Sequence, residues 1–244
     1  SATSLTQRAV ADGFFARHCY GTTGARILLD VSIDGSPMGS EIAVTRAPRI
    51  QIVCEGTAGI ERIDLFRDTE LIESRTLADP DPSRYRILYG GSKEEGTAAA
   101  QRQHWDGTMR IGNGTLGDIK PVGLQCPLNQ IMQNGETVNW ALATAGNDMG
   151  FTFTLEGDAS LDVSTDPCSF SCTRSELDAE YKTVDAGGLQ RRIEIGHAPS
   201  DETPLSVSES FVDENPLDGE HAYWVRITQT DRHRAWSSPI YLTI

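Results

Sequence analysis

The spacing of apolar residues changes from helical to alternating within residues 17–27, and this change constrains the fold most. Before it, Val10 and Phe14 lie one helical turn apart, and Ser4 followed by Gln7 matches a capping box. After it, apolar and polar residues alternate, which is the period of strands with one buried face. The sequence therefore predicts one short amphipathic helix followed by a mostly β chain.

Alternating segments recur about every ten residues and are separated by turn residues, as in β-sandwiches. Residues 49–55, for example, place Ile50, Ile52 and Cys54 on one face. Residues 56–59 are interpreted as a hairpin connection into the next strand, and 186–188 as a second hairpin. Strands are predicted over residues 27–33, 41–45, 49–55, 60–67, 71–77, 105–111, 138–143, 150–155, 160–164, 180–184, 189–195, 222–229 and 236–243.

These patterns predict a mostly β fold: an immunoglobulin-like antiparallel β-sandwich over residues 26–244. Residues 1–25 would form the terminal helix and the junction of a preceding domain, because one helix cannot bury a core by itself. The small, polar and Gly-rich stretch 90–103 is predicted to be a mobile loop.

The charge of the chain argues against one class of partner. Its 244 residues carry a formal net charge of −14, whereas nucleic-acid binding needs clustered Lys and Arg. Apolar runs are far shorter than the about 20 residues that cross a bilayer as a helix. No signal peptide is recognised at the start, and a cytoplasmic or a periplasmic location fits equally. The sequence therefore predicts neither a nucleic-acid partner nor a membrane span.

Residues that usually carry catalysis are scattered along the chain. The five histidines occur singly, and no nucleophile elbow or phosphate-binding loop is present, so no metal ligand is assigned. Asp79 and Asp81 could hold Ca²⁺ weakly, but residues 79–82 read better as a turn. Cys168 and Cys172 are interpreted as reduced structural residues, with a small loop disulfide as the alternative.

Four tryptophans lie in strand-like segments, where most tryptophans of a sandwich pack between the sheets. Trp140 lies between Val138 and Leu142 and is predicted to be in the core. Trp105 lies between two polar residues and is the best candidate for exposure. If exposed, Trp105 would be the ligand-binding residue of a carbohydrate-binding module.

Five segments of the chain stand out when they are taken in order: Cys19-Tyr-Gly-Thr-Thr-Gly-Ala-Arg-Ile27, Asp34-Gly-Ser-Pro-Met-Gly39, Ile60-Glu-Arg-Ile-Asp-Leu-Phe-Arg67, Tyr223-Trp-Val-Arg-Ile-Thr-Gln229 and Ala235-Trp-Ser-Ser-Pro-Ile-Tyr241. Together they resemble the C-terminal region of the bacterial domain-of-unknown-function 3604 family, which is similar to carbaryl-hydrolase-like metallohydrolases of the PHP (polymerase and histidinol phosphatase) superfamily. Residues 85–219 carry little of this resemblance.

The resemblance implies an N-terminal α/β barrel-like domain that binds divalent metals through His and Asp and activates water. The family's metal-ligand motifs precede these segments and are absent from this sequence, so the chain by itself is expected to hold no cofactor and to be non-catalytic. We therefore predict an accessory C-terminal β-sandwich of a PHP-like metal-dependent hydrolase, with its own N-terminal catalytic domain as partner. An independent carbohydrate-binding or adhesion module is the alternative.

Six junction residues supply donors and hydroxyls near a strand end, where barrel-type active sites are built. They are candidates for a contribution to the site of the preceding domain. The favoured alternative is that Gly21 and Gly24 shape the chain while the threonines satisfy local backbone groups. The candidates are Arg17, His18, Tyr20, Thr22, Thr23 and Arg26.

Overall fold

In a computed structural model, which describes residues 4–93, 101–124 and 126–244, the chain is mostly β with an N-terminal helix. It divides into two compact units. Unit one comprises Ser1–Asp79 and Asp201–Ile244, and unit two comprises Pro80–Ser200. The sequence predicts a single sandwich domain over residues 26–244, whereas the structure divides this span between the two units.

Unit one is formed by the first and the last elements of the chain, and unit two by those between them. Unit one begins with α1 (Gln7–Phe15), β1 (Tyr20–Thr22), β2 (Leu28–Ile33), β3 (Ser36–Pro37), β4 (Glu41–Ala43), β5 (Arg49–Glu55), β6 (Ile60–Arg67) and β7 (Glu70–Thr76). Unit two contains β8 (Pro80–Ser92), β9 (Gln103–His104), β10 (Gly107–Val122), β11 (Gln130–Asn134), β12 (Thr137–Ala141), β13 (Ala143–Thr144), β14 (Asp148–Thr165), β15 (Ser169–Thr173), α2 (Arg174–Ala179), β16 (Lys182–Asp185) and β17 (Leu189–Pro199). Unit one ends with β18 (Ser206–Val212), β19 (Glu220–Gln229), β20 (Arg234–Ser237) and β21 (Ile240–Thr243).

The predicted N-terminal helix is present, but its cap differs from the prediction. Thr6, not Ser4, is the N-cap residue, and its side chain accepts a hydrogen bond from the Ala9 amide at 3.2 Å. A hydroxyl at this position satisfies one of the amides that a helix start leaves without a partner. The helix ends at Phe15, just before Arg17, whose φ of 59° lies in the left-handed region.

Unit one is built from two sheets that share one hydrophobic core. In the larger sheet, β19 pairs with β6 on one side and with β20 and β21 in turn on the other. β7 extends this sheet beyond β6, β1 pairs with β20, and β4 pairs with β21 in parallel. The smaller sheet has the order β18-β5-β2-β3. Inward side chains of both sheets, such as Ile52 and Val225, form the core.

The connection between β5 and β6 corrects one prediction. Residues 56–59 do not close a hairpin, because β5 pairs with β2 and β18 in the smaller sheet while β6 belongs to the larger one. The chain therefore passes from one sheet to the other at these residues. Cys54 is buried on the inward face of β5, as the alternation predicted.

Unit two is built around a single sheet with the order β11-β12-β10-β14-β8-β17-β16, and β15 pairs with β14. Its core includes Trp140, which is 3% exposed, as predicted. The predicted second hairpin is present, since β16 pairs with β17. β10 and β14 are longer than predicted, because their ladder continues through bulges near Gly112 and Gly117.

Two further expectations in unit two need correction. The turn predicted at 79–82 is wrong in its extent, because β8 begins at Pro80. The Asp81 carboxylate accepts hydrogen bonds from the amide (2.8 Å) and the hydroxyl (2.7 Å) of Ser83. The loop predicted at 90–103 is wrong at both ends, because residues 90–92 belong to β8 and residue 103 begins β9. Residues 94–100 of that loop lie outside the described residues.

Helix α2 was not predicted, although the sequence carries a signal for it. Thr173 and Glu176 form a capping box, in which each side chain bonds the other residue's backbone amide. Leu177 is buried against the core of unit two. A Thr-x-x-Glu pattern directly before an apolar residue could have revealed this helix.

Candidate functional site

The junction after α1 is held by side chains of unit one. Arg17 donates a hydrogen bond from Nε to the Gly39 carbonyl at 3.1 Å, and its Nη2 lies 2.6 Å from Glu41 Oε1. The same guanidinium lies over the Tyr241 ring at 5.3 Å. Arg17 therefore stabilises the turn out of the helix within unit one itself.

The two threonines of the junction also make local contacts. Thr23 Oγ1 lies 2.8 Å from His233 Nδ1 and accepts a hydrogen bond from the Arg234 amide at 3.0 Å. Thr22 Oγ1 accepts from the Gly24 amide at 3.2 Å. These contacts are those expected if the threonines satisfy neighbouring groups.

The remaining junction candidates differ in exposure. Tyr20 and Arg26 are exposed, and His18 is half-buried. Tyr20 lies in β1, at the edge of the larger sheet, whereas Arg26 lies after the turn that follows β1. Of these three residues, Tyr20 and Arg26 are thus the ones whose side chains face solvent.

No residue of α1 is buried in the part of the chain that the structure describes. Phe14 is 68% exposed and Phe15 is 88% exposed. Leu5 and Val10 are exposed as well. Large apolar side chains grouped on one exposed helix are typical of a surface that another protein segment covers.

The outer face of the larger sheet carries a buried ion-pair network that the sequence did not reveal. Asp64 of β6 is 1% exposed and accepts hydrogen bonds from Arg226 Nε at 3.0 Å and from the Ser74 hydroxyl at 2.6 Å. Arg62 approaches the same carboxylate at 3.0 Å. Burial alone would raise the pKa of Asp64, but these hydrogen bonds and charges outweigh it and hold the pKa below its ordinary value.

Aromatic side chains extend this outer face, which we call the Trp–Arg face (Asp64, Phe66, Trp224, Arg226 and Trp236). The rings of Phe66 and Trp224 stack with centroids 4.0 Å apart, and the Arg226 guanidinium lies 5.0 Å from the centre of Phe66. Trp236 lies opposite Arg226 in the ladder between β19 and β20. The sequence signal is the presence of aromatic and arginine residues at the outward positions of alternating segments, where small polar residues are usual.

The predicted exposure of Trp105 is wrong. Trp105 is fully buried, its ring centre lies 5.6 Å from that of Tyr89, and its indole donates a hydrogen bond to Thr144 Oγ1 at 2.9 Å. The short β9–β13 ribbon turns this ring into the core while its polar neighbours His104 and Asp106 remain exposed. A buried ring cannot stack on a sugar.

A groove of about 450 Å³ borders this ribbon. Its lining includes Arg102, His104 and Asp106 on one wall and Asn129 and Asn147 elsewhere. Charged, amide and apolar groups therefore converge on one concavity, which is the usual composition of a ligand site.

A second polar cluster of unit two surrounds the hydroxyl of Tyr85. This hydroxyl hydrogen-bonds to the Asp178 carboxylate and accepts from Arg174 Nε at 3.2 Å, while the His197 ring stacks on Tyr85 at 4.9 Å. Burial and the bond to Asp178 raise the pKa of Tyr85. Since Tyr85 is fully buried, the cluster attaches α2 to the sheet and presents no phenol to a substrate.

Metal binding and thiol reactivity in the described ranges depend on where the His, Cys, Asp and Glu residues lie. Within residues 4–93, 101–124 and 126–244, no three His, Cys, Asp or Glu residues group in a way that could hold a metal ion. All five cysteines are free thiols, and burial raises the pKa of Cys54 to about 12 and that of Cys172 to about 11. These two thiols stay protonated near neutrality and are therefore poor nucleophiles.

No helix within the described ranges has the length and apolar character needed to cross a membrane.

Comparison with known proteins identifies only distant relatives. No protein-family model matches the chain. An uncharacterized protein of Chlamydia pneumoniae is 33% identical over 75 residues, which make up 28% of this chain and 12% of that protein. An uncharacterized protein of Chlamydia trachomatis serovar D is 30% identical over 84 residues, 32% of this chain and 13% of that protein. The match thus spans about an eighth of the length of these relatives.

Among solved structures, the crystal structure of BcpA, the major pilin subunit of Bacillus cereus, shows a weak likeness. It is 8% identical, with 88% of this chain and 65% of that chain covered, at a TM-score of 0.15. A score this low carries no argument about fold or function. The chain is therefore similar over a limited stretch to longer bacterial proteins without an assigned activity.

Proposed function

We propose that unit one is an immunoglobulin-like sandwich that serves as a non-catalytic, accessory β-domain of a PHP-like metal-dependent hydrolase. The observation that carries this proposal is the exposed apolar side of α1, with Phe14 68% and Phe15 88% exposed, directly before a junction that is tied to unit one. Such a helix needs a neighbouring domain to cover it.

The positions of the family-like segments support the same proposal. All five lie in unit one, and the segments that contain β6, β19 and β20 are neighbours in its larger sheet. Unit two, residues 80–200, lies mostly within the stretch 85–219 that carries little of the resemblance. The segments that resemble the family therefore all belong to one compact unit.

The strand arrangement supports the immunoglobulin-like part. The order β18-β5-β2-β3 shares a core with β7-β6-β19-β20, as two antiparallel sheets do in such sandwiches. The hydroxyl of Tyr223, in β19, donates a hydrogen bond to the Asp213 carboxylate at 2.7 Å. This contact resembles a tyrosine corner, although the acceptor in this domain is a carboxylate instead of a backbone carbonyl.

Metal analysis and a phosphoester and carbamate turnover screen test this proposal, applied both to this chain and to the full-length protein that contains it. We expect divalent metal and turnover in the full-length protein, and neither in this chain. In the full-length protein, Phe14→Asp should lower thermal stability, while Asp12→Asn on the same helix should not. Stoichiometric metal with turnover in this chain, or a full-length protein without metal, would contradict the proposal.

The burial of Trp105 argues against the alternative of a carbohydrate-binding module, which required this ring to be exposed. Trp105 is fully buried, so an exposed stacking ring at this position is not present. A glycan array with this chain tests the alternative directly, and binding that Trp105→Ala leaves intact would have to come from another surface.

A further inference from the structure

The groove in unit two carries a row of charged side chains on one wall. Its volume of about 450 Å³ lies within the range of small-ligand sites. Along residues 102–106, Arg102, His104 and Asp106 are exposed, while Gln103 and Trp105 are buried. Because alternate side chains of an extended segment point to the same side, these three side chains line the groove together.

These charged groups have no electrostatic partner within the described ranges. The side chains of Arg102, His104 and Asp106 form no ion pair or hydrogen bond with another residue that the structure describes, and the Gln103 side-chain amide donates to the backbone carbonyl of His104. Elsewhere in unit two, neighbouring charges do pair: Arg192 contacts Asp148 at 3.2 Å and Glu194 at 2.7 Å. The cation and the anion of the groove wall can therefore meet charges on a ligand.

The rest of the groove offers groups that match a peptide backbone. Asn129 uses Nδ2 in a contact with Met149 Sδ at 3.3 Å, and Asn147 uses Oδ1 to accept from the Ala145 amide at 2.9 Å. Asn129 Oδ1 remains as an acceptor and Asn147 Nδ2 as a donor. The small side chains of Ala141, Ala143 and Ala145 leave room for an extended ligand.

We propose that this groove binds a short peptide with free termini, about four residues long, with its carboxylate at Arg102 and its ammonium group at Asp106. Four residues of extended wall separate these two side chains by about 13 Å, and an extended tetrapeptide spans about the same length. Amide groups of the peptide pair with Asn129 and Asn147. The inference does not depend on the accessory role of unit one.

Calorimetric titration of the whole chain with tetra-alanine tests the proposal. The same peptide with an acetylated amino end, and with an amidated carboxyl end, should bind about tenfold more weakly, because each loses one charge-assisted contact. Arg102→Gln should remove the preference for a free carboxylate only, and Asp106→Asn should remove the preference for a free amine only. Arg110→Gln and Asp158→Asn, exposed positions of unit two outside the groove, serve as matched controls and should bind like the wild type.

Three results with the peptides would overturn the proposal. They are the absence of binding at millimolar tetra-alanine, equal binding of free and doubly blocked peptides, and unchanged selectivity in both groove variants. Preferential binding of maltotetraose over tetra-alanine would also overturn it, since that neutral sugar makes no use of the charged wall. Circular dichroism of each variant confirms that a loss of binding does not reflect a loss of fold.

Discussion

Arg226 binds the buried carboxylate of Asp64 through two hydrogen bonds to one oxygen, Oδ2, at 3.0 Å from Nε and 2.8 Å from Nη2. The two residues lie opposite each other on β19 and β6. Ser74 and Arg62 bind the same carboxylate, so the anion is compensated although it is only 1% exposed. A buried carboxylate persists in a fold only when such groups surround it.

Removal of Arg226 should therefore destabilise unit one. We expect Arg226→Met to lower the free energy of unfolding by about 2–4 kcal/mol, since a buried charge loses two hydrogen bonds while Arg62 and Ser74 remain. Arg49→Met is the matched control, because Arg49 is exposed and should change stability by less than about 0.5 kcal/mol. Urea unfolding measures both, and equal losses in the two variants would contradict the interpretation.

The same carboxylate predicts a dependence of stability on pH. Because the folded state holds the pKa of Asp64 below its ordinary value of 3.8, the stabilisation is complete above that value and is lost as the pH falls through the lower folded pKa. The difference in unfolding free energy between the wild type and Asp64→Asn should be constant above about pH 5 and shrink below about pH 4.

Urea unfolding of both proteins across the acid range checks this expectation. Asp30→Asn, at an exposed position of β2, should instead follow the wild type throughout. A difference between wild type and Asp64→Asn that stays constant into strong acid would show that Asp64 is not preferentially ionised in the folded state.

Gly39 is expected to be essential for docking the junction. A Cβ at Gly39 would lie 2.6 Å from the carbonyl oxygens of Ala16 and Arg17, whereas a Cβ at Gly35 meets nothing within 4 Å. Both glycines have positive φ, 92° and 87°, so Gly35→Ala controls for backbone strain. Gly39→Ala should cost at least about 1 kcal/mol more than Gly35→Ala.

Hydrogen exchange of the junction amides locates the effect of Gly39→Ala. The Ser238 amide donates to the Cys19 carbonyl and the Thr23 amide donates to the Arg234 carbonyl, so exchange of both should accelerate when the junction detaches. Equal exchange in the Gly39→Ala and Gly35→Ala variants would count against a specific steric contact.

Trp105 should behave as a core residue. Trp105→Ala removes a fully buried indole and is expected to destabilise unit two by about 3–5 kcal/mol. Met132→Ala, at a side chain that is 58% exposed, should cost less than about 0.5 kcal/mol. Chemical unfolding distinguishes the two, and a Trp105→Ala protein of unchanged stability would mean that the ring faces solvent.

The elements that could be predicted are those with a clear local period. The strands at residues 49–55 and 60–67 coincide with β5 and β6, because alternation on a half-buried strand is a local property. β10 and β14 could be predicted only in part. Their Gly and Asn residues resemble turns in sequence, yet Asn113 and Gly157, with φ of 55° and 78°, lie within continuous strands.

The candidate sites were less predictable, because they depend on partners far apart in the chain. Trp105 has polar neighbours in sequence, but Tyr89 and Thr144 enclose its ring. The groove next to Trp105 is lined by residues of the segment 102–106 together with Asn129 and Asn147. No sequence pattern links these distant positions. Of the six junction candidates, Arg17 and Thr23 contact Glu41 and His233, which lie far from them in sequence.

The sequence by itself determined that this protein is mostly β, begins with one amphipathic helix and places Cys54 and Trp140 in the core, because hydrophobic periodicity acts over a few residues. Only the tertiary structure decided that residues 80–200 form a separate unit, that Trp105 is buried and that Asp64 meets Arg226. Those outcomes depend on which strands pair, and pairing is set by the combined burial and hydrogen bonding of segments distant in the chain.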